Sequence, residues 1–70
     1  MNVYRVEIVR DDGWWVISVP ELRGVFSEAR RREDVEAMAR DAVALYLDVP
    51  EDSFELAIHE VQHLSEPVSH

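Results

Sequence analysis

Apolar and polar residues alternate along the first part of the chain, on both sides of an Asp12-Gly13 pair. Alternation with a period of two is typical of β-strands. Asp-Gly suits the two central positions of a type I′ turn, where both residues need a positive φ. A two-residue loop also fixes the register, so we expect Val9 to pair with Val16 and Asp11 with Trp14. The pattern therefore predicts an antiparallel hairpin.

The predicted register gives the hairpin two unlike faces. Adjacent residues of a strand point to opposite sides, so Trp14 and Trp15 cannot both enter one core. One face is almost continuously apolar, and we expect a helix to pack on it. The other face mixes apolar with polar side chains and is too apolar for a plain solvent surface. The first face carries Tyr4, Val6, Ile8, Trp15, Ile17 and Val19, and the second carries Val3, Arg5, Glu7, Val9, Trp14, Val16 and Ser18.

A Val-Pro-Glu-Leu-Arg-Gly segment follows the hairpin. Pro20 cannot donate a hydrogen bond to a sheet, and Gly24 accepts backbone angles that other residues avoid. The second strand should therefore end near Val19 and the chain should turn through residues 21–24. Residues 25–28 then form a predicted short third strand.

Helical periodicity extends over residues 33–47. Acidic residues suit the positive N-terminal end of this helix, whereas the arginines at positions 30–32 oppose its dipole. We expect those arginines to lie outside the helix or to pair with neighbouring carboxylates. The helix should stop at Asp48-Val49-Pro50, because proline disfavours helical geometry at the preceding residue. The apolar positions at helical spacing are Val35, Met38, Ala39, Ala42, Val43, Leu45 and Tyr46.

The remaining alternation, at Phe54, Leu56 and Ile58, predicts a last strand. A strand that follows a helix usually returns in a right-handed crossover beside a parallel neighbour, here the first strand. The predicted fold class is α+β with the order β-β-β-α-β: an antiparallel three-stranded meander, one helix on one face, and a last strand parallel to the first. We expect a single domain over residues 1–61 and a frayed C-terminal tail over residues 62–70.

Four segments of this sequence form one recognisable pattern: Tyr4-x-Val6-x-Ile8, Asp11-Asp12-Gly13-Trp14-Trp15-Val16, Val19-Pro20-Glu21-Leu22-x-Gly24 and the helix at 33–47. Together they resemble the HicB-like family of bacterial antitoxins. The resemblance covers residues 3–58 and implies a partial ribonuclease H-like fold. It further implies a non-catalytic protein that binds and masks a HicA-like toxin, a ribonuclease of messenger RNA with a double-stranded-RNA-binding-like fold.

Two departures from the family pattern affect what the resemblance implies. Many HicB antitoxins continue into a DNA-binding segment, whereas only residues 62–70 follow the last predicted strand here. We therefore expect a short form that does not itself bind DNA for autorepression. Arg31-Arg32 also stands where the family tends to place a threonine or a similar cap, which weakens the start of the helix.

Composition narrows the classes of function that are possible. The 70 residues lie near the lower size limit for an unaided hydrophobic core, which makes a stabilising partner plausible. Without cysteine there is no disulfide, thiolate zinc site or sulfur redox chemistry, and we expect a cytoplasmic protein. A membrane span and a signal peptide are not predicted. The net charge of −8 opposes direct nucleic-acid binding and favours a basic protein partner.

No set of residues in the sequence predicts catalysis, a metal site or a cofactor. A ribonuclease H-like order raises the alternative of a two-metal nuclease, for which Glu7, Asp41 and Asp48 are the obvious carboxylates. In the predicted register Glu7 lies on the sheet face opposite the helix, so these residues do not converge. His59 and His63 would be far apart on a strand, and Ser18 has no neighbouring His-Asp pattern in the sequence.

The interface candidates are Val9, Trp14, Val16 and Arg5. An exposed tryptophan beside two valines is typical of a protein interface, where aromatic anchors dominate binding. We expect a homodimer or a larger homo-oligomer that uses this patch or a sheet edge. The same patch serves two hypotheses: an antitoxin that binds a HicA-like toxin, and a stand-alone self-associating module that acts as a scaffold or binds a small ligand.

Overall fold

The computed structural model describes residues 2–62, which form one four-stranded sheet and one helix. The strand order is β3-β2-β1-β4, with β1 antiparallel to β2 and parallel to β4. The predicted β-β-β-α-β fold class is confirmed. Of the predicted tail, Gln62 is exposed and residues 63–70 lie outside the described residues. The elements are β1 (Asn2–Asp11), β2 (Trp14–Ser18), β3 (Phe26–Ala29), a 3-10 turn (Arg32–Asp34), α1 (Val35–Leu47) and β4 (Phe54–Glu60).

The hairpin between β1 and β2 has the predicted turn and register. Asp12 and Gly13 adopt φ values of 51° and 83°, as a type I′ turn requires. Val9 pairs with Val16, and Asp11 pairs with Trp14. Both assignments of side chains to faces follow from this register, so Trp15 enters the core and Trp14 points to the opposite side.

The loop after β2 is held by backbone bonds and by one carboxylate. The Leu22 N–H donates to the Val19 carbonyl at 2.9 Å, and Gly24 adopts a φ of 81°. Oε1 of Glu21 accepts the backbone N–H of Arg5 at 3.0 Å, beyond the last residue of β1 that pairs with β2. The loop thus continues the hydrogen bonding of β1 after β2 has turned away.

The third strand begins at Phe26, one residue later than predicted. The N–H of Val25 donates to the Leu22 carbonyl at 3.2 Å, and the Val25 carbonyl accepts the N–H of Val19. Val25 therefore closes the loop, and the pairing with β2 starts with Phe26 opposite Ser18.

The start of α1 corrects one prediction. The helix begins at Val35 rather than at residue 33, because a 3-10 turn at Arg32–Asp34 precedes it. Neither Arg31 before the turn nor Asp34 before the helix makes a side-chain cap hydrogen bond. Of the predicted apolar positions, Met38, Leu45 and Tyr46 are exposed. The buried residues of the helix are Val35, Ala39, Val43 and Ala44, and the partly buried Ala42 and Leu47 also pack against the core.

The helix ends at Leu47, as predicted, but the backbone of Asp48 makes the stop. Asp48 adopts the left-handed conformation with φ 59° and ψ 51°, and its N–H donates to the Ala44 carbonyl. Arg40 then fastens the following loop, because its Nη1 donates to the carbonyls of Glu51 at 2.6 Å and Phe54 at 3.0 Å. These bonds position the start of β4 beside β1.

The core lies between the sheet and α1. All four strands and α1 contribute side chains to it. The loop after β2 contributes Val19 and Val25. Within residues 2–62, no helix has the length and apolarity that crossing a membrane requires. The buried apolar residues are Val6, Ile8, Trp15, Ile17, Val19, Val25, Ala29, Val35, Ala39, Val43, Ala44 and Phe54.

Candidate functional site

The sheet has a second face on which no helix packs within the described residues, and we call it the helix-free face. It is the side of the sheet that carries Val9, Trp14 and Val16. The register places Val9 directly opposite Val16, with Trp14 two residues farther along the same side of β2. All three side chains are half-buried. The structure therefore brings three of the four interface candidates into one apolar patch.

An arginine covers the ring of Trp14. The guanidinium carbon of Arg30 lies 4.5 Å from the Trp14 ring centroid, a distance at which a cation is attracted to the aromatic face. Trp15, on the other side, is only 8% exposed and has Arg10 and Arg32 over its ring at 5.3 and 5.8 Å. Two of the three consecutive arginines thus stack on tryptophans, a role that the sequence analysis missed.

The remaining member of the arginine run is paired as expected. Nη1 of Arg31 lies 3.3 Å from Glu33 Oε2, and its Nε lies 3.3 Å from Asp34 Oδ2. Both partners are in the turn that precedes the helix. The three arginines are therefore outside α1, and their charges are used locally.

Phe26 extends the patch, and the sequence analysis did not identify it. It lies opposite Ser18 on β3, at the edge of the sheet, on the same face as Val16. Its side chain is 65% exposed. The sequence could have shown this, because adjacent residues of a strand point to opposite sides. If Val25 is buried on the helix side, Phe26 points to the other side.

The fourth interface candidate, Arg5, is tied to a buried carboxylate. Nε of Arg5 lies 3.1 Å from Oε2 of Glu7, and Glu7 is only 4% exposed. A buried carboxylate is costly unless it is paired and hydrogen-bonded. Arg5 on the helix-free face therefore compensates the charge of Glu7, and its own side chain remains half exposed. A contact of Arg5 with another protein stays a prediction.

Ser18, Glu7 and His59 lie side by side across the three strands β2, β1 and β4. Ser18 is 3% exposed, and its Oγ has no hydrogen-bond partner among the described residues. A serine nucleophile needs an imidazole between the hydroxyl and the carboxylate, whereas here the carboxylate stands in the middle. The sequence analysis missed this row, and its order does not support nucleophilic catalysis.

The carboxylates of the nuclease alternative lie on opposite sides of the sheet. Glu7 is on the helix-free face, whereas Asp41 is an exposed residue of α1, which packs on the other face. Within residues 2–62, no group of three or more His, Asp or Glu side chains is arranged to hold a metal ion. His63 lies outside the described residues.

We compared the chain with family models, with curated proteins and with solved structures, and found no match in any of the three.

Proposed function

We propose that this protein is a non-catalytic, HicB-like antitoxin that binds and masks a small, basic, RNA-cleaving toxin similar to HicA, in the cytoplasm. The observation that supports the proposal most directly is the connection of its elements. A type I′ hairpin is followed by the Pro-Glu-Leu-Arg-Gly loop, an edge strand, one helix and a strand parallel to β1. This is the arrangement that the resemblance to HicB antitoxins implies.

Electrostatics supply the physical basis for masking. An RNA-cleaving protein binds phosphates through a basic surface. A chain of net charge −8 complements such a surface, accelerates the encounter and excludes RNA while it is bound. Affinity then depends on a few apolar anchors in the contact.

The helix-free face supports self-association of the same protein. Trp14 and Phe26 are aromatic, partly or largely exposed, and lie on one face beside two valines. A two-fold axis would bury this patch against its own copy, as in most soluble homo-oligomers. A homodimer is therefore part of the proposal, and a stand-alone scaffold that self-associates without a toxin is the second candidate.

The proposal is tested with the protein encoded by the reading frame adjacent to this gene. The neighbour is purified alone, its cleavage of messenger RNA is measured, and an equimolar amount of this chain is added. We expect the neighbour to be a small basic ribonuclease whose activity is lost on addition. A neighbour that does not bind this chain, or that cleaves RNA equally well in its presence, would overturn the antitoxin. A dimer that persists in that case would favour the scaffold.

A further inference from the structure

The outward side of α1 presents apolar side chains to solvent. Leu45 is 80% exposed and Met38 is 40% exposed. Met38 and Leu45 are seven residues apart, which places them two turns apart on one side of a helix. Asp41 lies between them in the chain, and Asp48 follows at the helix end, both exposed. We call this surface, formed by Met38, Asp41, Leu45 and Asp48, the outer helix face.

Apolar residues this exposed have no role in the core of the domain. The helix already meets the sheet through Val35, Ala39 and Val43, all fully buried. Single exposed hydrophobic residues are normal on protein surfaces, but a group on one side of a helix marks an interaction site. Leucine and methionine at a spacing of seven residues are also among the anchors with which helices bind grooves on partners.

Negative charge is concentrated in the C-terminal part of the chain, which includes most of the outer helix face. All seven arginines lie within residues 1–40, where they nearly balance eight acidic residues. Residues 41–70 hold the other seven acidic residues and neither lysine nor arginine. The last half of α1, the loop after it and β4 hold six of these seven acidic residues. The helix-free face carries both signs of charge, because Arg5 and Arg30 lie there together with Glu7, Asp11, Glu28 and Glu55.

We propose that the outer helix face binds the basic partner, with Leu45 and Met38 as apolar anchors and Asp41 and Asp48 as the acidic rim. This inference rests on the proposed function, because the basic partner is the toxin-like protein. The part of the partner that binds the outer helix face is a protein surface with an apolar pocket bordered by lysine or arginine. Opposite charges at the rim steer the encounter, and the anchors hold the complex.

A second copy of this chain is a poor occupant of the same face. Two-fold pairing through the helices would bring Asp41 and Asp48 of both copies together and double the negative charge in the contact. Like charges across an interface oppose association. The helix-free face, with mixed charges and more aromatic surface, is the better place for self-association. The two surfaces lie on opposite sides of the molecule, since α1 and the helix-free face are separated by the sheet.

The test compares two substitutions of the same kind at two exposed aliphatic positions. Leu45→Arg alters the outer helix face, and Val3→Arg alters a valine on the helix-free side that is 58% exposed. Both add one positive charge without disturbing a buried residue. Binding of each variant to the purified basic neighbour is measured by calorimetry, and its contact surface is mapped by NMR amide shifts on the labelled chain.

We expect Leu45→Arg to weaken binding about tenfold or more, as loss of a central anchor does, and Val3→Arg to change it less than about threefold. Asp41→Asn should slow association more at low salt than at high salt. Amide shifts should concentrate in residues 38–48. Wild-type-like binding by Leu45→Arg, with shifts confined to β2 and β3, would overturn this inference and leave the antitoxin standing. A neighbour that fails to bind the wild-type chain would overturn both.

Discussion

Trp14 and Trp15 are adjacent in the chain but lie on opposite faces of the sheet, with different surroundings. Trp15 is 8% exposed and packs in the core between the sheet and α1. Trp14 is half-buried on the helix-free face with the Arg30 guanidinium over its ring. Two residues of the same type in one short strand therefore have different surroundings: Trp15 belongs to the core, and Trp14 lies in the surface patch that we propose for self-association.

We expect Trp15→Ala to destabilise the fold by about 3–5 kcal/mol, because it leaves a large cavity in the core. A domain of this size has a free energy of unfolding of only about 4–10 kcal/mol, so this loss removes a large fraction of its stability. Trp14→Ala should cost about 1 kcal/mol or less, as is usual for residues outside the core. Thermal and urea unfolding followed by circular dichroism measure both. Equal losses would show that the two tryptophans share one core.

Trp14→Ala should also weaken the proposed homodimer, because an aromatic anchor contributes much of the energy of a small interface. Sedimentation velocity over a concentration series measures the dissociation constant, which we expect to rise at least about tenfold. Tyr46→Ala on α1 changes a half-exposed aromatic residue away from the helix-free face; it is the matched control and should leave the dimer unchanged. A monomer at micromolar concentration in both the wild type and Trp14→Ala would contradict self-association.

Ser18→Ala should stabilise the fold by about 1 kcal/mol, because burying a hydroxyl without a partner has a cost that alanine does not carry. Ser18 is 3% exposed, and its Oγ has no partner among the described residues. The control is Ser27→Ala on β3, where the residue is half-buried and little change is expected. A loss of stability in Ser18→Ala, measured by urea unfolding, would mean that the hydroxyl is hydrogen-bonded in solution.

The sequence predicted those parts of the fold that local chemistry determines. Asp12-Gly13 admits few turns, and a two-residue loop leaves one register, so both faces of the hairpin followed from it. The exposure of Leu45 did not follow from periodicity. An apolar residue at helical spacing has the same pattern whether it meets the sheet or a partner, and only the packing of α1 on the sheet decides which.

The candidate site, too, was predictable from the sequence only where local chemistry determines it. Trp14, Val9 and Val16 were brought together by the hairpin register, which is a local property. Phe26 joined them through the pairing of β3 with β2, and Arg30 joined through the turn after β3. The positions of Phe26 and Arg30 depend on how the Pro-Glu-Leu-Arg-Gly loop closes. Because the Val25 N–H donates to the Leu22 carbonyl in that loop, β3 begins one residue later than predicted.

Arg40→Met should destabilise the fold by about 2 kcal/mol, because two backbone carbonyls lose a charged donor while the apolar length of the side chain is kept. Those carbonyls belong to Glu51 and Phe54, and the guanidinium also lies 5.2 Å from the Phe54 ring centroid. Arg23→Met, at an exposed position of the loop after β2, provides a control with the same change of charge. Hydrogen exchange should rise in β4 of Arg40→Met and stay at the wild-type rate in Arg23→Met.

Substitutions at Asp48 test how the helix stops. Its φ of 59° and ψ of 51° lie in the left-handed region, which costs a residue with a Cβ about 1–2 kcal/mol and costs a β-branched residue the most. Asp48→Gly should therefore match or exceed the wild type in stability, and Asp48→Val should fall about 1–2 kcal/mol below Asp48→Gly. Urea unfolding of the three proteins gives the order. If valine were as stable as glycine, the chain would have left the left-handed conformation, and Pro50 alone would account for the end of the helix.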